Sequence, residues 1–225
     1  MKLSVVISVF ESYEIVRRQL LHFKKMNLPF ELIIVDDGSN PPIEGATIRT
    51  NSKIRWNVGA ARNMGAKIAK GEYLFMTDID HIISKEAMED ALNFTGNKMI
   101  FRRQIGVLDE DGNVIQDPEV LKEWGWTGKY DASVHGNTWV MKKSIFEELG
   151  GFRTHLTGKH PKPQCGEDSY FNREWGRKFR GHKPKFGRDI YHFPISRFNI
   201  NRDLNPKGLF YDAKAYDCEE DIDGS

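Results

Sequence analysis

Two cysteines in 225 residues, Cys165 and Cys218, are too few for a disulfide-stapled scaffold. Neither sits in a CxxC pair or beside a run of histidines, which speaks against a structural zinc site as well. An excess of one charge sign is also missing. With 33 Lys plus Arg against 32 Asp plus Glu, no global field draws the chain toward nucleic acid or an acidic surface. No apolar run approaches the ~18–20 residues that span a bilayer. The apolar start, MKLSVVISVF, lacks a small-residue cleavage site and reads as a buried strand rather than a secretory signal. Internal repeats and interdomain linkers are absent too. What remains is a cytoplasmic protein of one α/β domain, with an ordinary 39% hydrophobic and 29% charged residues and enough length for a full core.

Periodicity then divides the chain. Leu3 to Phe10 is a continuous β-branched apolar run, the pattern of a strand covered on both faces. Glu14 to Met26 has helical spacing and ends at Asn27-Leu28-Pro29. A second buried strand, Glu31 to Val35, stops at Asp36-Asp37-Gly38-Ser39, and a short third fits 46–50. Asn57 to Lys70 reads as an Ala- and Gly-rich helix closed by Gly71. Tyr73 to Met76 reads as a strand that runs into Thr77-Asp78-Ile79-Asp80-His81. This alternation predicts a mainly parallel sheet wrapped by helices, with ligands outside the carboxyl ends of the strands. Both acidic clusters fall at that end. The second half is less regular. It has helices over 84–92 (capped by Ser84), 144–149 and 167–179, and strands over 98–103, 138–141 and 190–193. A turn at Asp109–Asn113, a loop over 158–164 and a polar tail over 206–225 complete it.

Asp78 and Asp80, two apart in an extended segment, point to one side and can bind a hard divalent cation that still reaches phosphate oxygens. The bland alternative is a pair of solvated turn carboxylates. Asp36 and Asp37 can accept hydrogen bonds from ribose hydroxyls or a base N–H, or can simply cap a turn that Gly38 makes sharp. Asn57 opens the next helix, and Arg62 within it could present a positive fork to phosphate or make a surface ion pair.

In order and spacing, VVISVFES, IIVDDGS, NVGAARNMGAKIAKGEYLFMTDID, GGF and GED resemble a GT-A fold glycosyltransferase of family 2, over about residues 3–192. The resemblance implies a Rossmann-like α/β/α sandwich with a mainly parallel central sheet. It would fill residues 1–205, with a nucleotide-binding half over about 1–100 and an acceptor-binding half over 101–205. It implies inverting transfer of a sugar from a nucleoside diphosphate sugar, UDP-linked in most similar enzymes, to an acceptor hydroxyl. That acceptor could be a glycan, a lipid-linked sugar, a protein or a modified nucleic-acid base.

Carried over by motif, Ser8, Val9 and Phe10 line the base pocket, Asp36 or Asp37 binds the nucleoside, and Asn57 and Arg62 approach the diphosphate. Asp78 and Asp80 hold Mn²⁺ or Mg²⁺, with Asp78 also facing the donor. His192 is the expected third ligand, and His81 its competitor. Asp168 is the expected general base, with Glu167 orienting a substrate hydroxyl. On position alone, both carboxylates equally favour the positive end of their own helix. Trp124 and Trp126 could stack an acceptor or pack the core. The basic stretch 177–188 could touch an anionic acceptor or form a solvated face. Two rival classes remain. A sugar-phosphate nucleotidyltransferase would carry a Gly-rich, Arg-containing loop where this chain has Phe10-Glu11-Ser12-Tyr13. A non-catalytic nucleotide-sugar or glycan-binding module is the other.

Overall fold

The first apolar run is buried at every position from Leu3 to Val9, and this strand (β1) forms the spine of the sheet. The computed structural model describes residues 1–50, 57–126, 128, 134–154 and 167–194. The 158–164 loop, Gly166, both cysteines and the 206–225 tail lie outside the described residues. After β1 come α1 (Tyr13–Met26), β2 (Glu31–Asp36), β3 (Ile48–Arg49), α2 (Val58–Ile68), β4 (Tyr73–Asp78), β5 (His81–Ile82) and α3 (Lys85–Asn93). The second half contributes β6 (Lys98–Ile105), a hairpin of β7 (Val107–Leu108) and β8 (Val114–Ile115), and α4 (Pro118–Glu123). It continues with β9 (Val134–Lys142), α5 (Lys143–Glu148), α6 (Glu167–Lys178), β10 (Lys185–Phe186) and β11 (Ile190–His192).

The main sheet runs β3-β2-β1-β4-β9-β6-β11-β5, with β10 beside β6. Pairings among β3, β2, β1 and β4 are parallel, as are those of β6 with β10 and β11. β9 is inserted antiparallel between β4 and β6, and β5 returns antiparallel on β11. The sheet is therefore mixed and mostly parallel. Alternation along β1 divides the core. Val5, Ile7 and Val9 face a cluster with Ile15 and Phe23 of α1 and Met88 of α3. Val6 faces the opposite cluster, with Ala61 and Ala66 of α2, Phe146 of α5, and Phe171 and Trp175 of α6. This is the expected α/β/α sandwich.

Local chemistry explains the boundaries. α1 stops where Asn27 takes a left-handed conformation, φ 49°. Ser84 caps α3 by accepting from Ala87 N, and Asn57 caps α2 by accepting from Ala60 N. Gly65 lets α2 lie close on the sheet, because an added Cβ would stand 2.4 Å from Val6 Cγ1. Among the described residues, no helix is long and apolar enough to cross a membrane.

Candidate active site

The parallel register aligns the strand tips, with Ser8 of β1 opposite Asp78 of β4 and Val9 opposite Asp36 of β2. Ser8, Val9 and Phe10 are all buried there. The two aspartates after β2 differ sharply. Asp36 Oδ1 accepts from Ser39 N at 2.8 Å and Oδ2 from Ile43 N at 3.1 Å, so both oxygens are spent on shaping the loop. Asp37 is 1% exposed; its Oδ1 accepts from Thr50 Oγ1 at 3.1 Å, and its Oδ2 has no hydrogen-bond partner among the described residues. Burial pushes the Asp37 carboxyl up to about 7. The Thr50 hydroxyl and a backbone bond from Asn57 pull against that rise, and the Asp36 charge adds to it. A buried carboxylate with an open oxygen is costly for a fold to keep. Both Asp36 oxygens thus already accept a backbone N–H, while Asp37 keeps one oxygen without a partner among the described residues.

α2 delivers Arg62 beneath this edge. Its side chain is 0% exposed, and Nη2 donates to Asp78 Oδ1 in a very short contact. Nε and Nη1 have no hydrogen-bond partner among the described residues, and the guanidinium lies 5.3 Å from the Phe152 ring centroid. Arg62 is thus no surface fork; it is a buried cation with two donor nitrogens in reserve. Its neighbour Asn63 clamps the Gly150-Gly151-Phe152 turn, giving an N–H to Phe152 O at 2.8 Å and accepting Phe152 N at 2.9 Å. Gly151 is at φ 66° and an added Cβ would stand 2.6 Å from Asn63 Oδ1, so only glycine fits.

β4 ends at Asp78, Ile79 and Asp80 form a turn, and β5 begins at His81. The extended geometry expected across Asp78–Asp80 therefore breaks, and the two carboxylates do not share a face by strand alternation. The described groups whose ligand atoms lie within 4.8 Å of one another are Asp78, His81 and His135. His81 is buried and its Nδ1 lies 2.5 Å from Thr138 Oγ1, itself 3.2 Å from Thr77 Oγ1. The tautomer with Nδ1–H donating to Thr138 leaves the Nε2 lone pair for a cation. Burial lowers the His81 pKa to about 4, against the pull of Asp80 and Asp78, so the ring is neutral at pH 7. A carboxylate and two imidazoles, one oriented by a hydroxyl, offer three ligand atoms to a divalent cation. Asp80 and His192, the expected ligands, fall outside this trio. Asp80 O accepts from Phe193 N at 3.2 Å, and His192 pairs across strands with His81, their rings 6.3 Å apart.

Glu167 and Asp168 form the first turn of α6. Glu167 is buried against α2, where an added Cβ on Gly59 would stand 3.5 Å from its Cγ, and its Oε2 has no hydrogen-bond partner among the described residues. Burial raises its pKa, the Asp168 and Asp78 charges add to that, and Arg62 opposes it. Asp168 is half-buried, with Oδ1 accepting from Ser169 N at 2.7 Å.

The remaining candidates are two tryptophans and the basic stretch. Trp124 and Trp126 are partly buried against the core, with the Trp124 ring 5.5 Å from that of Phe193 and 5.7 Å from the Arg18 guanidinium. The basic stretch begins at the far end of α6 from Asp168; a 12-residue helix is about 18 Å long. Several of its charges are already paired, Arg177 with Glu174, Lys178 with Glu148 and Arg188 with Asp90. An apolar hollow of about 600 Å³ by Met1, Leu28, Phe30 and Leu92 lies at the opposite, N-terminal edge of β1 from Asp36 and Asp78.

His135 is the residue that sequence reasoning passed over. It belongs to no quoted motif, and only the antiparallel placement of β9 beside β4 brings it to Asp78, with Nδ1 3.5 Å from Oδ2.

Comparison with known proteins supports the fold and the family. The poly(ribitol-phosphate) beta-N-acetylglucosaminyltransferase TarP of Staphylococcus aureus (strain N315) is 29% identical over 163 residues, 66% of this chain and 46% of that protein. A poly(ribitol-phosphate) beta-glucosyltransferase of Bacillus spizizenii is 31% identical over 109 residues, 42% of this chain and 17% of that protein. The chain thus spans less than half the length of these curated relatives. The crystal structure of S. aureus TarS 1-349 superposes with a TM-score of 0.56 at 16% identity, over 85% of this chain and 60% of that one, which supports the GT-A fold. Residues 4–150 match the sequence profile described as Glycosyl transferase family 2. With strand-tip carboxylates, a buried arginine and the profile in agreement, this chain belongs to glycosyl transferase family 2.

Proposed function

We propose that the protein is a metal-dependent, inverting glycosyltransferase that moves a sugar from a UDP-linked donor to an acceptor hydroxyl. The observation that carries this reading is the gathering of Arg62, Asp78, His81, His135 and Glu167 about one strand edge, with Arg62 Nε and Nη1 and Glu167 Oε2 unpartnered among the described residues. In this reading Asp37 takes an N–H of the nucleobase on its open oxygen, beside Ser8, Val9 and Phe10. The spare N–H groups of Arg62 meet the diphosphate, and Glu167 Oε2 accepts a sugar hydroxyl. Asp78, His81 and His135 would hold Mn²⁺ or Mg²⁺, with Asp80 and His192 behind them. A bound divalent cation supplies charge neutralisation for a departing diphosphate.

Asp168 accepts the proton of the acceptor hydroxyl as its oxygen attacks the anomeric carbon from the face opposite the diphosphate. The bond from that carbon to the diphosphate oxygen breaks, and the electron pair leaves with the nucleotide. Preorganised charge around the leaving group is the largest contribution expected, because Arg62 is already desolvated and fixed. The nucleotide half, about 1–100, would carry the donor, and 101–205 the acceptor. The relatives' names point to a polyol-phosphate acceptor. In keeping with that, the guanidiniums of Arg153 and Arg173 lie 3.5 and 4.7 Å from the ring centroid of Tyr170 on α6. The cytoplasm is the proposed compartment, on the scarcity of cysteine.

The test is turnover of UDP-glucose and UDP-N-acetylglucosamine with Mn²⁺ and poly(ribitol phosphate). Asp168→Asn should bind UDP as the wild type does and lose transfer by about a hundredfold or more. Undiminished transfer by that variant would remove Asp168 from the reaction.

A further inference from the structure

Lys98 is an ionisable group in the core, 5% exposed, for which the chemistry above has no use. Its ammonium lies 5.3 Å from the Trp175 ring centroid and 5.9 Å from that of Trp139, and donates to Asn172 Oδ1 at 2.8 Å. Burial lowers its pKa to about 8, which leaves it mostly charged at neutral pH. An ammonium has donors and no acceptor, so it selects the oxygen of the Asn172 amide and turns the NH₂ the other way. There Nδ2 donates to Gly136 O and to Asp168 O, both at 3.0 Å.

Those two carbonyls connect the ends of the site. Gly136 follows His135 on β9, and Asp168 lies in the first turn of α6. One amide group thus ties the peptide of the proposed base to the peptide beside a candidate metal ligand. The approach is close, since a Cβ on Gly136 would stand 3.0 Å from Asn172 Nδ2. The middle of the α6 seat is apolar, with Phe171 stacked on Trp139 at 5.2 Å and Trp175 buried nearby. Ring contacts set how deep a helix lies but are tolerant of small slides, whereas paired hydrogen bonds are directional.

We propose that Asn172, oriented by Lys98, is a positioning residue that fixes Asp168 relative to Asp78, His81 and His135. This rests on the reading of Asp168 as the base. The variant that isolates it is Asn172→Asp, which still pairs with Lys98 but has no N–H for either carbonyl. In the transfer assay above, kcat should fall about tenfold to a hundredfold. UDP affinity with Mn²⁺, the donor KM and the melting temperature should stay near wild-type values. Amide hydrogen exchange in the first turn of α6 should quicken. Unchanged kcat, or a parallel loss of kcat, UDP affinity and melting temperature, overturns the proposal, because the latter is what a purely structural contact would give. If the wild type transfers nothing, the functional reading falls by itself. Exchange in α6 then still decides the tie, and unchanged exchange in Asn172→Asp overturns it.

Discussion

Replacing Asp37 by Asn should make the free protein more stable at pH 8 and leave it unchanged near pH 4. The folded carboxyl holds its proton to about 7, against an ordinary value of 3.8. Between these values the folded state binds more protons than the unfolded chain, so stability falls as pH rises through the window and is flat on either side. At about 1.4 kcal/mol per pH unit, the gap amounts to about 4 kcal/mol above pH 7. Asn offers the same donor and acceptor as the protonated acid, keeps Thr50 satisfied, and carries no charge to desolvate. The difference between the two proteins should therefore grow from near zero at pH 4 to about 4 kcal/mol at pH 8, read from urea denaturation at a series of pH values. UDP should reverse the ranking, because a base N–H on Oδ2 favours the ionised acid and Asn has no second acceptor to offer. Parallel stability profiles for the two proteins across pH 4–8 would refute the reasoning.

Two other perturbations test separate parts of the account. Gly65→Ala should destabilise by about 1–3 kcal/mol in urea, despite a helix propensity that favours Ala by ~1 kcal/mol, because its Cβ would meet Val6 Cγ1 at 2.4 Å and Val35 Cγ2 at 3.0 Å. His135→Ala removes a ring that is 33% exposed, so the melting temperature should hold while Mn²⁺ affinity drops at least about tenfold by calorimetry. An unchanged Mn²⁺ affinity would exclude His135 as a ligand.

Much of the fold was legible because its nucleotide half is built from local signals. Continuous apolar runs mark β1, β2 and β4, caps such as Asn57 and Ser84 mark helix starts, and strand-tip acids mark the ligand edge. The same sequence could not separate Asp36 from Asp37, since the distinction lies in which oxygens the Ser39 and Ile43 amides consume. It also placed Asp80 beside Asp78 by strand alternation, which a turn at Ile79–Asp80 interrupts. His135, Asn172 and Lys98 were invisible for a different reason. Each gains its meaning from β9 lying antiparallel between β4 and β6, a long-range pairing with no local pattern. Arg62 was found by its motif, but its burial and its bond to Asp78 belong to the packing of α2 on the sheet.

The account depends on Asp37, Arg62 and the Asp78–His81–His135 cluster serving one bound nucleotide. The most direct measurement is calorimetric titration of UDP into the protein with and without Mn²⁺, repeated on Asp78→Ala. Mn²⁺ should strengthen UDP binding by the wild type and leave that of the variant unaltered. Absence of UDP binding, or a Mn²⁺ enhancement that survives in Asp78→Ala, would contradict it.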